Sequence, residues 1–328
     1  MPTIKTIKKI AITGAGGLIG SALVRKLLAE DMDVIGYDRV FSGEWVGKQD
    51  KLARETVDVS HPSFEAKLSQ HKPDMVVHCA AHPGGRSLRE PLSDVNTNVS
   101  GSMQVFEWCA RSKVPVIYLS SSVIYGDQPS GPISETASVN PGTIYGVCKV
   151  ACENFLKILG NGYGLSWTVL RLFATYGAGH KPSTTQGIVN VMLTQLMEGN
   201  NLLVKGSLER SRDMLYVDDA VDAIFKCIFT QSSRSQIINI GTGTSVTIKT
   251  LIQNLSIILG KHFSDIQITE EKGTVGDPFY NSADCSKAKS LLGFTPQHNL
   301  NSGLQKVVNL RNQDVSKNLD HYQNKSGI

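Results

Sequence analysis

At 328 residues, with 41% hydrophobic and 19% charged side chains, the chain has ordinary globular composition and length for one large domain or two lobes, which excludes global disorder. A net charge of +4, with basic residues scattered apart from Lys5, Lys8 and Lys9, argues against a nucleic-acid surface. Six cysteines without CxxC spacing read as reduced packing residues, and no apolar run nears the roughly 20 residues that span a bilayer, so a soluble cytoplasmic protein with no metal and no membrane contact is expected.

Lys9 to Thr13 is a short β-branched run that ends in Gly14-Ala15-Gly16-Gly17-Leu18-Ile19-Gly20 and passes directly into an amphipathic helix, Leu18 to Glu30. Glycines at 14, 17 and 20 suit a tight turn, close approach of a pyrophosphate to the helix N-terminus, and close packing of helix on strand. The next strand, Asp33 to Tyr37, ends at Asp38, 18 residues past Gly20, where a dinucleotide fold places the acid that binds the adenosine ribose. A carboxylate there repels a 2′-phosphate, which favours NAD over NADP, although Arg39 stands beside it. Val57-Asp58-Val59 is expected to close a third strand, with Asp58 accepting from an adenine amino group or capping the following helix. Asp74 to Cys79 reads as a buried parallel strand followed by Ala80-Ala81, small enough for a cofactor to lie against the backbone. Inside it His78 reads as a satisfied core histidine, whereas His82 at the strand end is open between core and site.

Pro115 to Leu119 makes a fifth strand ending in Ser120-Ser121-Ser122, Ser166 to Leu172 a sixth, and Ile237 to Ile240 a late seventh. Helical patterns fall between them, including Ser102 to Arg111 and Thr143 to Leu159. Such alternation means an α/β fold, a Rossmann-type doubly wound parallel sheet, with every strand's C-terminal end on one edge. After Tyr176 the regularity breaks into a Gly, Pro, Ser and Thr-rich loop, Gly177 to Gln186. The expected division is a dinucleotide-binding domain, residues 1–176 plus 214–243 with the latter returning to the large sheet, a smaller C-terminal substrate-binding lobe, 177–213 plus 244–315, and a polar tail, 316–328. Residues from Asn312 onward are expected to fray. On the helix after strand five, Tyr145 and Lys149 are four apart and share one face. A lysine ammonium beside a phenol favours the phenolate, which makes the pair a candidate acid-base machine.

In this order the glycine turn, Asp38, the serines ending strand five and the Tyr145/Lys149 pair resemble the extended short-chain dehydrogenase/reductases, specifically the nucleotide-sugar epimerase and dehydratase family. Asn98-Val99-Ser100-Gly101, Arg171 to Gly177, Arg212-Asp213 with Val217-Asp218-Asp219, and Ala283 to Ala288 are similar to further motifs of that family, so the resemblance covers about residues 8 to 310. It implies Tyr145 as catalytic base and acid, Lys149 lowering its pKa, and Ser121, with Ser122 as fallback, on the reacting sugar hydroxyl. For NAD it implies Gly14, Gly17, Leu18, Ile19, Gly20, Asp38, Arg39, Asp58, Val59, Ala80, Ala81, Asn98 and Ser120, together with Tyr145 and Lys149.

Family dehydratases carry Asp-Glu, and decarboxylases a Glu, just after the catalytic serine position; here stand Ser122 and Val123. Reductases of the family carry Cys at the Val123 position with a strand-six His, and His180 is out of register for that role. The resemblance therefore implies NAD-dependent epimerisation of a nucleotide-diphosphate sugar, most simply at C4. The alternatives are an NAD(P)-dependent nucleotide-sugar reductase or dehydrogenase, and a non-catalytic dinucleotide sensor on the same fold. For the substrate it implies Ser122, Ala174, Arg212, Asp277 and Asn281, with Arg212 as phosphate clamp and Asn281 as a small sugar gate that admits a substituted sugar; Arg86, in the loop after strand four, is either a second contact by its strand-end location or solvent-exposed. Ala174 and Thr274 stand where UDP-sugar epimerases carry Asn and Arg. Two helices, about Leu92 to Arg111 and Thr143 to Leu159, resemble the pair that forms the family's homodimer. The apolar stripe Ile144, Val147, Ala151 and Phe155 faces that partner or the sheet, and one helix can serve both.

Overall fold

The structure, a computed structural model, describes residues 7–41, 49–177, 179 and 187–326. Most of the Gly177 to Gln186 loop, with His180, lies outside the described residues. The first half alternates as expected: β1 (Lys9–Thr13), α1 (Leu18–Ala29), β2 (Asp33–Asp38), β3 (Leu52–Thr56), α2 (Phe64–His71) and β4 (Met75–His78). After β4 come α3 (Pro91–Asp94), a π-helical stretch over Val95–Gly101, α4 (Ser102–Ser112), β5 (Val116–Ser121), α5 (Ile144–Tyr163) and β6 (Trp167–Leu172). The second half holds β7 (Ala174–Tyr176), α6 (Ile188–Glu198), β8 (Asn201–Lys205), β9 (Ser211–Tyr216), α7 (Val217–Phe229), β10 (Gln236–Ile240), β11 (Ser245–Thr247), α8 (Ile248–Ile258), β12 (Gln267–Glu271), α9 (Ser286–Leu292) and α10 (Leu300–Ser326).

Seven parallel strands form the central sheet in the order β10-β6-β5-β4-β1-β2-β3. Strands covered on both faces must be apolar throughout, and β4, Met-Val-Val-His, is buried at every position. The strand order reverses between β1 and β4, and an open α/β sheet binds ligands in the crevice outside such a reversal. Gly14 and Ala80 follow β1 and β4 there and touch: a Cβ on Gly14, whose φ is +67°, would lie 2.7 Å from the Ala80 Cα.

Three features differ from the sequence reading. β9 does not enter the large sheet; it pairs with β7 and β11 in a separate three-stranded sheet, so the return is made by α7, packed on α1, and by β10. The third strand stops at Thr56, because Asp58 turns the chain by accepting the backbone N–H and the hydroxyl of Ser60 at 2.8 and 2.7 Å. The stretch expected to fray from Asn312 is helical as far as Ser326; Leu304, Val307, Val308 and Arg311, spaced as one helical face, are buried and anchor α10 at its start. β8 and β12 form a small parallel pair beneath α6, at the far side of the second lobe.

Candidate active site

The cradle at the sheet reversal is shaped by what its glycines lack. A Cβ on Gly16 would meet the Val40 carbonyl oxygen at 2.3 Å, and one on Gly20 would meet the Gly14 carbonyl oxygen at 2.1 Å. Gly17 stands at the N-cap of α1 without a side chain, leaving first-turn N–H groups open to an anion. Asp38 accepts the Gly16 N–H at 2.9 Å and the Val40 N–H at 3.1 Å, and its remaining lone pairs can receive ribose hydroxyls. Gly14, Asp38, Arg39, Asp58, Val59, Ala80 and Ala81 line one small cavity there together with Tyr37, Val57 and Thr97. Arg39 lies 3.7 Å from Asp58, so the cation that clouded the choice of dinucleotide is paired. Leu18 packs on the main core at the start of α1, and Ile19 faces the adjoining cavity. These observations fit a dinucleotide: backbone approach only glycine permits, a helix N-terminus, and an acid at the ribose position.

α5 is started by two caps. Thr143 accepts the Gly146 N–H at 3.0 Å through its side chain, and the Ser87 hydroxyl accepts the Tyr145 N–H at 3.0 Å. Tyr145 and Lys149 then project from one face into a cavity of about 280 Å³ shared with Ser120, Ser121, Ser122, Val123, Ala174, Arg212, Asp277 and Asn281. Lys149 is 3% exposed and donates to the Leu119 carbonyl at 2.7 Å, with its ammonium 4.6 Å from the centre of the Tyr118 ring and 5.5 Å from that of Tyr145. Burial lowers its pKa to about 8. Burial and then the Asp94 charge push the Tyr145 phenol up, opposite in direction to the lowering expected from Lys149.

Ser121 ends β5 and accepts the Val123 N–H at 3.4 Å. Ser122 is buried and accepts from the Asn281 amide at 3.2 Å, while the Asn281 Oδ1, also buried, has no partner among the described residues. Two expected cofactor residues are themselves held by protein partners. Asn98 accepts the His82 N–H at 2.6 Å and donates to the His82 carbonyl, fixing the exit of β4. The Ser120 hydroxyl donates to Glu153 at 2.6 Å. Glu153 in turn pairs with Arg171 at 2.7 Å, and Arg171 donates to Tyr125 at 2.8 Å, so a buried polar network locks the end of β5 to α5 and β6. His78 bonds Thr13 and Ser102 as a core histidine; His82, which the sequence left open, is pinned between Asp94 and Glu90.

Arg212 donates to Asp277 at 2.6 Å, and Arg210, not singled out in the sequence, grips the other carboxylate oxygen. The signal for Arg210 was its separation of two from Arg212, which on an extended chain puts both on one side. Both line a second cavity of about 480 Å³ that adjoins the first at Ala174, Arg212 and Asp277 and also takes in Arg86. Asp213, next in sequence, faces the other way and holds the Thr242, Gly243 and Ala283 N–H groups at 2.7, 2.9 and 3.0 Å. Ala283 to Ala288 is thus tied to the end of β10. A backbone contact also escaped the sequence: a Cβ on Gly276 would lie 1.9 Å from the Gly142 carbonyl oxygen, so the segment carrying Asp277 rests on the residues just before α5.

A glycine-lined cradle at the reversal of a parallel sheet, opening on a half-buried Tyr and a buried Lys one helical turn apart, defines a dinucleotide-dependent enzyme of the short-chain dehydrogenase type. The chain belongs to the NAD dependent epimerase/dehydratase family, whose model matches residues 10–241. It is 30% identical over 305 residues to the UDP-glucose 4-epimerase of Mycolicibacterium smegmatis, covering 90% of this chain and 96% of that one. The UDP-glucose 4-epimerase of Thermotoga maritima, solved with UDP-glucose, superimposes with a TM-score of 0.87 at 30% identity over 94% of this chain and 99% of that one. That of Thermus thermophilus, solved with NAD, gives 0.85 at 26% identity, over 92% and 99%. The expected fold, family and NAD cofactor are therefore established.

Proposed function

We propose that the chain is an NAD-dependent epimerase of a nucleotide-diphosphate sugar, acting at C4 through a transient 4-keto sugar. The observation that carries this reading is the smaller cavity, where Ser121, Tyr145 and Lys149 converge while Ser122 and Val123 offer no carboxylate for elimination. NAD, when bound, supplies hydride uptake and return at the sugar carbon. Gly14, Gly17, Gly20, Asp38, Ala80 and Ala81 hold it. Tyr145 moves the proton between the sugar oxygen and its own, Ser121 orients that oxygen, and Lys149 holds positive charge beside the phenol. A positive charge entering with the cofactor adds to that of Lys149 and lowers the phenol against its burial.

Presenting both faces of the keto sugar needs room. Ala174 and Asn281 supply it, and the unpaired Asn281 oxygen offers an acceptor to a sugar O–H or N–H. Arg212 and Asp277 take the nucleotide diphosphate end. Residues 1–176 with 214–243 act as the dinucleotide-binding domain, and 177–213 with 244–315 as the substrate lobe. The described cysteines are all free thiols, which suits the cytoplasm. Leu92, Val95, Val147 and Ile158 are exposed apolar residues on the α3–α4 stretch and α5, and we assign that face to a homodimer.

The reading is tested by incubating the protein with UDP-, GDP-, CDP- and dTDP-sugars and substoichiometric NAD, following sugar ring protons by NMR together with absorbance of reduced cofactor. Many conversions to an epimer per NAD, with no lasting reduced cofactor, is the expected result. Reduced cofactor accumulating in step with product means a dehydrogenase, and loss of water from the sugar means a dehydratase; either replaces this reading.

A further inference from the structure

The loop between β4 and α3 lies against Tyr145 at two points. A Cβ on Gly84 would be 3.3 Å from the Tyr145 ring, and the Ser87 hydroxyl accepts the Tyr145 N–H at 3.0 Å. First-turn N–H groups find no acceptor within their own helix, so Ser87 fixes the backbone from which the phenol projects. A hydroxyl has a single proton, and that of Ser87 goes to Asp94, which leaves only oxygen lone pairs to face Tyr145. Asp94 is fully buried and also accepts from the His82 Nδ1 at 2.6 Å and the Asn98 amide at 3.3 Å. Its orientation, and with it the cap on Tyr145, is set from three sides.

That carboxylate works against the phenolate: after burial, the Asp94 charge is the largest influence pushing the Tyr145 phenol up. His82 is placed to offset it. It is 3% exposed, with Nδ1 on Asp94 and Nε2 3.0 Å from the half-exposed Glu90. An ionised carboxylate only accepts, so the ring donates to both as an imidazolium. The other ionisable groups around the pair are Lys149, 5.5 Å from the Tyr145 ring centre, and the Cys148 and Cys152 thiols, which burial pushes up, Cys148 to about 11. Arg86 and Arg89, on the same loop, line the larger cavity with Glu90. We propose that His82 and Asp94 are positioning residues for Tyr145: Asp94 locks Ser87 in the orientation that caps the Tyr145 N–H, and His82, charged between Asp94 and Glu90, cancels the field of that carboxylate at the phenol. This rests on the acid-base role proposed for Tyr145 above.

The test is an NMR titration of the NAD-loaded protein carrying tyrosine labelled with carbon-13 at Cζ, whose shift reports ionisation of the phenol; Tyr145→Phe identifies the resonance. Against the parent, Asp94→Asn is expected to lower the titration midpoint of Tyr145 by about one pH unit, and His82→Gln to raise it by about as much. The double variant is expected to fall between the two, because each change removes one member of a balanced pair. A merely structural role moves all three the same way, since loosening admits water and water favours the phenolate. That result overturns the proposal, as does a midpoint unmoved by His82→Gln. NAD affinity checks that each variant is folded: where Asp94→Asn fails to hold NAD, the direction in His82→Gln decides, and loss of NAD by His82→Gln marks a packing role and overturns the proposal. The titration uses no sugar. The expected midpoints without turnover of any sugar nucleotide leave the inference standing and remove the epimerase reading, and turnover with midpoints that all fall does the reverse.

Discussion

Burial moves the two groups that face each other across one turn of α5 in directions that both favour the neutral form: the Tyr145 phenol is pushed up and the Lys149 ammonium down to about 8. Removing the phenol oxygen with Tyr145→Phe is expected to cut turnover about a thousandfold while NAD binding, read by equilibrium dialysis, persists; turnover within tenfold of the parent would place the proton elsewhere. Lys149 gives a second test. Its folded pKa lies below the unfolded value of about 10.4, so between about pH 8 and that value the unfolded chain keeps a proton that the folded chain has released, and stability rises with pH across the window. Below pH 8 the charged, buried lysine costs about 3 kcal/mol. Lys149→Met is expected to lose measurable turnover, melt at least about 2 °C higher at neutral pH and flatten the alkaline slope. A variant that melts lower and keeps the slope sinks this account. The pair was legible because four-residue spacing on a helix is local, whereas Arg210, Ser87 and the Glu153–Arg171 network were not, since each acts through a partner distant in sequence.

At the scale of elements, the β1–α1 junction is the tightest demand on the backbone. Gly20→Ala puts a methyl where the Gly14 carbonyl oxygen already lies, and is expected to cost about 1–3 kcal/mol and weaken NAD binding at least tenfold. Gly162→Ala, in α5 with nothing within 4 Å of the new methyl, is expected to stabilise by about 0.5–1 kcal/mol. Chemical denaturation of both variants reads the contrast, and a Gly20→Ala variant as stable as the parent would show that crowding at this junction is relieved at little cost. The alternation of apolar runs with helical periods made the strands of the large sheet readable from sequence. The three-stranded sheet was not readable: β9 is only six residues long, and nothing in Ser211–Tyr216 distinguishes pairing with β7 and β11 from entry into the large sheet. The π-helical stretch over Val95–Gly101 was equally hidden. It turns the Asn98 carbonyl toward the Ser102 hydroxyl and the Cys152 thiol, and the second of these contacts depends on α5. The stripe on α5 divides: Val147 is 55% exposed, Ile144 and Ala151 are half-buried, and Phe155 packs on the core cluster, while Cys148, Cys152, Leu156 and Leu159 supply the buried face.

For the whole molecule, the exposed Leu92, Val147 and Ile158 set the expected assembly. Sedimentation equilibrium is expected to give a dimer for the parent and a monomer for Val147→Glu, and a parent that runs as a monomer at micromolar concentration removes the assignment. The Gly142–Gly276 contact bears on how binding reaches the chemistry. Asp277, held by two arginines, sits one residue past a backbone that leans on the lead-in to α5, so if this segment grips the non-reacting half of the substrate, as proposed, the grip also presses on the support of Tyr145. Binding energy from such a remote handle raises the rate of the bond-breaking step instead of merely holding the ligand longer. A sugar 1-phosphate, lacking the nucleoside, is therefore expected to suffer a lower kcat at saturation as well as a higher KM. Turnover at this site is then a property of the whole ligand, and shortening the ligand slows it even when every reacting atom is still present.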